Sequence, residues 1–138
     1  MIQSETKLRV RYSETDQMGY VYYGNYPQFY EIARVDLMRS IGMSYKSIED
    51  KGILMPVTSM NIRYIKPSHY DDMITIRTSV TEKPLASIRF LYEIFNEKNE
   101  LVNQAETTLV FIDAVTRKLK RPPDEISELF EKYFMNRQ

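Results

Sequence analysis

Alternation of apolar and polar side chains opens the chain and returns over its second half, with one stretch of helical periodicity between. Leu8, Val10 and Tyr12 alternate with Arg9, Arg11 and Ser13, which predicts a first strand of roughly six to eight residues ending near Glu14. From Asn25 to Ile41 the spacing changes to threes and fours. Phe29, Ile32, Ala33, Leu37 and Ile41 form an apolar stripe flanked by Tyr26 and Tyr30, with Glu31, Arg34 and Arg39 away from its centre. Asn25 reads as the N-cap, Pro27 suits the first turn and Gly42 the C′ position, so one helix of about 15 to 17 residues is bracketed. A shorter helical turn over Tyr45–Lys51 stops at Gly52.

After Pro56, four runs rich in β-branched and aromatic residues predict strands: Val57–Tyr64, Met73–Thr81, Ser87–Phe95 and Leu101–Ile112. Their separators, KPSHYDD, EKPLA and NEKNE, are short. Short connections predict antiparallel neighbours, because a parallel crossover takes about a dozen residues or more. Pro123–Phe134 reads as a last amphipathic helix with Ile126, Leu129, Phe130 and Tyr133 on one side. One strand, one long helix and four long strands make an α+β fold, with a curved antiparallel sheet wrapped around the helix. The chain has 138 residues, 43% of them hydrophobic, and no repeat or linker, so a single domain over residues 1–138 is expected.

Charge and composition remove whole classes of function. Nineteen basic residues balance nineteen acidic ones, so no overall field draws the chain to nucleic acid. Without cysteine there is no disulfide framework, thiol nucleophile or Cys-ligated metal. The start MIQSETKLRV lacks a secretion signal and no apolar run approaches about 18 residues, so a cytoplasmic protein with no membrane span is expected. No GxGxxG, Walker-type loop or G-x-S-x-G elbow is present. His69, the sole histidine, sits in the polar turn PSHYDD and is expected to be an exposed loop residue rather than a triad member. With Asp71 and Asp72 it forms one cluster in one tight turn, so no metal is expected, and no cofactor.

Carboxylate chemistry remains. The run RYSETDQMGYVYYGNY, Arg11–Tyr26, places Asp16 between the first strand and the long helix, with Gly19 and Gly24 permitting close approach of backbone to a ligand. An aspartate has an ordinary pKa of about 3.9, so Asp16 can act as nucleophile or general base at neutral pH. The first N–H groups of the helix beyond it lack intrahelical partners, and aimed at a carbonyl they stabilise an oxyanion; Tyr23 and Gly24 are the candidate donors. The competing role for Asp16 is that of a cap or turn residue. Met18, Met55, Met60, Tyr20, Tyr22 and Tyr64 suit either an acyl pocket or ordinary core packing.

The segment RYSETDQMGYVYYGNYPQFYEIARVDLMRSIG closely resembles the signature of the 4-hydroxybenzoyl-CoA thioesterase-like acyl-CoA thioesterases, which have the hot-dog fold. The likeness continues through NIRYIKPSHYDDMITIRTSV and ASIRFLYEIFNE to TTLVFIDAVTRKLKRPP, from Arg11 to Pro123. The resemblance implies a five-stranded antiparallel sheet around one long helix. It also implies two subunits that pair their sheets and build active sites between them, as a homodimer or homotetramer. It matches Asp16 to the catalytic carboxylate, Tyr23 to the residue whose backbone N–H polarises the thioester carbonyl, and Tyr12 to an active-site tyrosine of one branch. That branch has a histidine where this chain has Tyr23. Similarity to family positions also makes Lys66, Arg89 and Lys118 candidates for the coenzyme A phosphates, against the alternative of a solvated edge.

The expected activity is therefore hydrolysis of an acyl-CoA to free acid and CoA, Asp16 acting with the Tyr23 and Gly24 amides. The alternative is a hot-dog module that binds acyl-CoA or acyl carrier protein without catalysis, and a dehydratase is a third option. Lyases of that shape generally pair an acid with a histidine near the helix, and His69 is poorly placed for that.

Overall fold

The structure, a computed structural model, describes residues 1–135; the last three positions of the expected domain lie outside them. Strand β1 (Ile2–Arg9) leads into the long helix α1 (Tyr26–Ser40) and the short helix α2 (Tyr45–Asp50). Strands β2 (Ile53–Leu54), β3 (Val57–Tyr64), β4 (Met73–Val80), β5 (Ser87–Phe95), β6 (Leu101–Val110) and β7 (Ile112–Asp113) follow, and α3 (Asp124–Met135) closes the order. Five strands form one antiparallel sheet in the order β1-β4-β5-β6-β3, while β2 pairs with β7.

The first strand lies earlier than its alternation suggests. It pairs from Ile2 opposite Val80 to Arg9 opposite Met73, and there β4 ends. Val10 bonds instead to loop backbone, its N–H to Asp72 O at 2.8 Å and its carbonyl to Asp71 N at 2.9 Å. With no ladder left to extend, Tyr12–Glu14 turns into a 3-10 helix.

The adjacency expected across KPSHYDD is also corrected. β3 sits beside β6 at one edge of the sheet, whereas β4 lies between β1 and β5, so residues 65–72 cross the sheet end past two strands. Three strand spacings are about 14 Å. Eight extended residues reach about 26 Å, so a short connection restricts direction and leaves adjacency open. EKPLA and NEKNE do join sheet neighbours, β4 to β5 and β5 to β6.

Helix α1 lies on the inner sheet face and presents Tyr26, Phe29, Tyr30, Ala33, Leu37 and Met38. They share one core with the inward residues of β4 and β5, Ile74 and Ile76 with Ile88, Phe90, Tyr92 and Ile94, and the rings of Tyr30 and Tyr92 lie 4.5 Å apart. Each such large side chain taken wholly out of water is worth about 1.5–3 kcal/mol. The stripe is rotated from its expected centre: Ile32 is 43% exposed and Arg34 only 7%. Arg34 lies on the buried line because its guanidinium finds partners there, donating to Tyr45 Oη at 2.9 Å and Tyr92 Oη at 3.1 Å. The Tyr92 hydroxyl in turn lies 2.8 Å from Thr107 Oγ1. Tyr30 donates to the buried Asn103 Oδ1, tying the helix to β6. Gly42, at φ +90°, ends the helix as its C′ position requires. Among the described residues, no helix is long and apolar enough to cross a membrane.

Replacing Tyr92 with Phe removes a hydroxyl that a buried cation uses. Urea titration is expected to show a loss of about 1.5–3 kcal/mol with an unchanged slope. Burial also raises the pKa of Tyr26, Tyr30, Tyr45 and Tyr92, in Tyr45 to about 12 despite the lowering effect of Arg34. Unfolded tyrosine titrates near 10, so the folded chain holds protons that the unfolded chain has released. Stability from these groups is complete below about pH 10 and falls as pH rises toward 12. The part of the tyrosinate absorbance that comes from these four buried tyrosines should therefore appear together with loss of far-ultraviolet circular dichroism, not before it.

Candidate functional site

Asp16 turns the chain back on itself. Its N–H donates to Tyr20 O at 2.8 Å, its carbonyl accepts from Gly19 N at 3.0 Å, and Thr15 bridges to Val21. Gly19 takes φ +79°, a conformation the tight turn requires and a side chain disfavours. The carboxylate takes part through one oxygen: Oδ1 accepts from Met18 N at 2.9 Å and Tyr20 N at 3.3 Å. Oδ2 carries no hydrogen bond from any described residue, and the side chain is half-buried.

The loop is fastened to the helix start through Glu14. Its main-chain oxygen accepts Tyr22 N at 2.9 Å and Asn25 Nδ2 at 2.8 Å. Its buried carboxylate accepts Arg11 N at 2.7 Å and Arg11 Nη2 at 3.1 Å. Asn25 holds the N-cap position but its side chain makes no cap bond, because it is spent on Glu14. The turn Tyr23–Asn25 precedes α1 as a 3-10 helix, closed by Asn25 N to Tyr22 O at 2.9 Å. At the start of such a helix the amides of Tyr23 and Gly24 have no intrahelical acceptor. A Cβ at Gly24 would lie 2.6 Å from Cε2 of Tyr22, so that ring occupies the space a side chain would need.

A cavity of about 280 Å³ lies between this loop and the crossing segment, lined by Asp16, Met18, Tyr20, Val21, Tyr23, Tyr26, Tyr64, Ile65, Lys66 and Pro67. Its wall is mostly aromatic and aliphatic, as ligand sites generally are. The crossing segment is held by Val21 N to Ser68 O at 2.7 Å and by Ile65 N and Lys66 N to Val102 O at 3.0 and 2.9 Å.

Of the residues singled out in the sequence, Asp16, Tyr23 and Lys66 meet here, with Met18, Tyr20 and Tyr64. Met55 packs against the core, Met60 is exposed on β3, and the Tyr22 ring leans on that of Tyr23 at 4.7 Å. Tyr12 does not reach the cavity. It is 78% exposed, its ring set against Tyr70 at 5.7 Å. Arg89, on β5, is paired with Glu106, and Lys66 with Glu100. Lys118 follows β7 and has no carboxylate within ion-pair reach among the described residues. His69 is exposed, its backbone N–H bonded to Asp72 Oδ2 at 2.8 Å. No cluster of three or more metal-ligand side chains occurs among the described residues.

Sequence reasoning missed Glu14 and the strut role of Asn25. The spacing of Arg11 and Glu14, three apart, was the available local signal; the bond from Asn25 spans eleven residues and leaves none.

Comparison with known proteins gives this framework its relatives. A family profile described as the thioesterase-like superfamily matches residues 10–130. YbgC of Escherichia coli, an acyl-CoA thioester hydrolase, is 33% identical over 124 residues, which cover 90% of this chain and 92% of its own. YneP of Bacillus subtilis, provisionally named an acyl-CoA thioesterase, is 36% identical over 110 residues, 80% of each chain. The crystal structure of a DHNA-CoA thioesterase from Staphylococcus aureus superposes with a TM-score of 0.93 at 37% identity, over 98% of this chain and 93% of that one. Sheet order, helix placement and a match across nearly the whole length agree, and the chain belongs to the thioesterase-like superfamily with its hot-dog fold.

Proposed function

We propose that the protein hydrolyses an acyl-CoA thioester to free acid and CoA, with Asp16 as the reacting carboxylate. The observation that carries this reading is the unengaged Oδ2 of Asp16 in an apolar cavity shared with the helix start. As general base, Oδ2 takes a proton from water while the water oxygen bonds to the thioester carbon. The carbon–sulfur bond then breaks and the proton passes to the CoA thiolate. As nucleophile, the same oxygen bonds to that carbon as the carbon–sulfur bond breaks, giving a mixed anhydride and CoA thiolate. Water then hydrolyses the anhydride, its hydroxyl going to the released acid and its proton to the thiolate, and the Asp16 carboxylate is restored. In either course the carbonyl oxygen gains charge, which the N–H groups of Tyr23 and Gly24 can stabilise by donating hydrogen bonds to it.

The tyrosine-rich wall suits a flat acyl group, and the Staphylococcus aureus relative is named a DHNA-CoA thioesterase. Lys66, Arg89 and Lys118 take the CoA phosphates. The first two must exchange exposed carboxylate partners, a small cost because surface pairs contribute about 0–1 kcal/mol. Strand β3 supports assembly as a homodimer or larger. Its eight residues form an edge with Val57, Met60 and Tyr64 exposed, and open edges of this kind call for a partner strand. In such an assembly Tyr12, Arg89 and Lys118 act across the interface rather than within one chain.

Asp16→Asn separates the two jobs of the side chain. The amide oxygen can still accept from Met18 and Tyr20, so the turn keeps its shape, and only the charge at the Oδ2 position is lost. Turnover in a thiol-release assay should fall by about 10²–10⁴ with melting temperature unchanged; equal turnover removes Asp16 from the chemistry. A panel of short, long and aryl thioesters defines the acyl group, and tight binding of all of them with no thiol release would make the protein a binding module. For the assembly, light scattering at micromolar concentration should return at least twice the 16.4 kDa of one chain, and a stable monomer contradicts it.

A further inference from the structure

The hydroxyl of Tyr64, the last residue of β3, donates to the main-chain oxygen of Tyr23 at 3.1 Å. That oxygen belongs to the peptide whose N–H is Gly24. A trans peptide is a rigid plane with its C=O and N–H pointing opposite ways, so fixing one end fixes the direction of the other. Among the described residues, no peptide bond is cis. The preceding peptide is held in the same manner, since the oxygen of Tyr22 accepts Asn25 N at 2.9 Å and its N–H is that of Tyr23. Both candidate oxyanion donors thus sit on peptides whose carbonyls are occupied. The tie on the Tyr22 oxygen is local to the turn. The tie on the Tyr23 oxygen comes from another element, forty-one residues away in sequence.

Two further observations separate Tyr64 from a wall residue that merely fills space. Its ring packs edge-on against Tyr23 and Tyr26, with centroids 6.3 and 5.5 Å apart, so the hydroxyl is aimed by the rings beside it. The bond also polarises the peptide, since a carbonyl that accepts a hydrogen bond makes the N–H of its own amide a stronger donor.

We infer that Tyr64 is a positioning residue for thioester hydrolysis: its hydroxyl orients and polarises the Tyr23–Gly24 peptide and so tunes the Gly24 N–H as an oxyanion donor. The inference rests on the thioesterase reading above. It predicts that the hydroxyl matters to the rate and the ring to binding, because the ring lines the cavity and the hydroxyl is spent on the backbone.

Tyr64→Phe keeps the ring and deletes the tie. In a thiol-release assay with a substrate the wild type hydrolyses, kcat should fall about three- to tenfold, the loss of one neutral hydrogen bond, with KM within about twofold. In solution NMR of the same variant, the carbonyl carbon of Tyr23 and the amide of Gly24 should shift, whether or not turnover is measured. Equal kcat in the variant overturns the role of Tyr64, as does an unmoved Tyr23 carbonyl. A wild type without turnover on any thioester, with the NMR shifts present, instead overturns the thioesterase reading and with it the catalytic meaning of the tie.

Discussion

One main-chain oxygen, that of Glu14, sets the relation between the acid-bearing loop and the helix start. It receives the amide of Tyr22 and the side chain of Asn25, one on each side of the Tyr23–Gly24 amides. Helix α1 is fixed by aromatic and aliphatic groups buried in the sheet, so the loop is tethered to a rigid body rather than to another loop. Each bond alone is worth only about 1 kcal/mol. Their common acceptor is itself immobilised, because the Glu14 carboxylate is buried and closed onto Arg11. Loss of either donor would free one side of the turn without unfolding the domain.

The other wall of the cavity follows from topology. Because β3 and β4 are not neighbours, the chain between them must pass across the end of β5 and β6, and it does so beside the acid loop. Bonds to Val102, Val21 and Val10 fix it at three places along its length. A hairpin at this point would have left the mouth of the sheet open. The crossing instead contributes Ile65, Lys66 and Pro67 to the cavity and brings Tyr20 alongside His69.

What was legible in the sequence is what local chemistry decides. Pro27 and Gly42 mark the ends of α1 because a missing N–H and a positive φ belong there, and the alternating burial of Ile88, Phe90, Tyr92 and Ile94 follows from the two-residue period of a strand. The failures are all non-local. Nothing in the alternation of Leu8, Val10 and Tyr12 says that the partner strand stops opposite Arg9. Arg34 reads as a solvent-facing charge until Tyr45 and Tyr92, eleven and fifty-eight residues away, supply hydroxyls to its guanidinium. In the site, Asp16 and Tyr23 were readable from one continuous motif. The ties from Asn25 and Tyr64 were not, since each joins segments that only the fold brings together.

An aspartate ahead of a helix is most often a turn residue, and a catalytic carboxylate is a rarer thing; for Asp16 these roles are compatible because a carboxylate has two oxygens. Oδ1 is committed to the amides two and four residues on, a reach that suits the short side chain of aspartate and that one more methylene would displace. That commitment fixes the plane of the group and therefore the direction of Oδ2. A freely rotating acid would have to lose rotamer entropy each time a substrate arrived. The turn removes that cost in advance, so the structural role of one oxygen is what would make the other useful for chemistry.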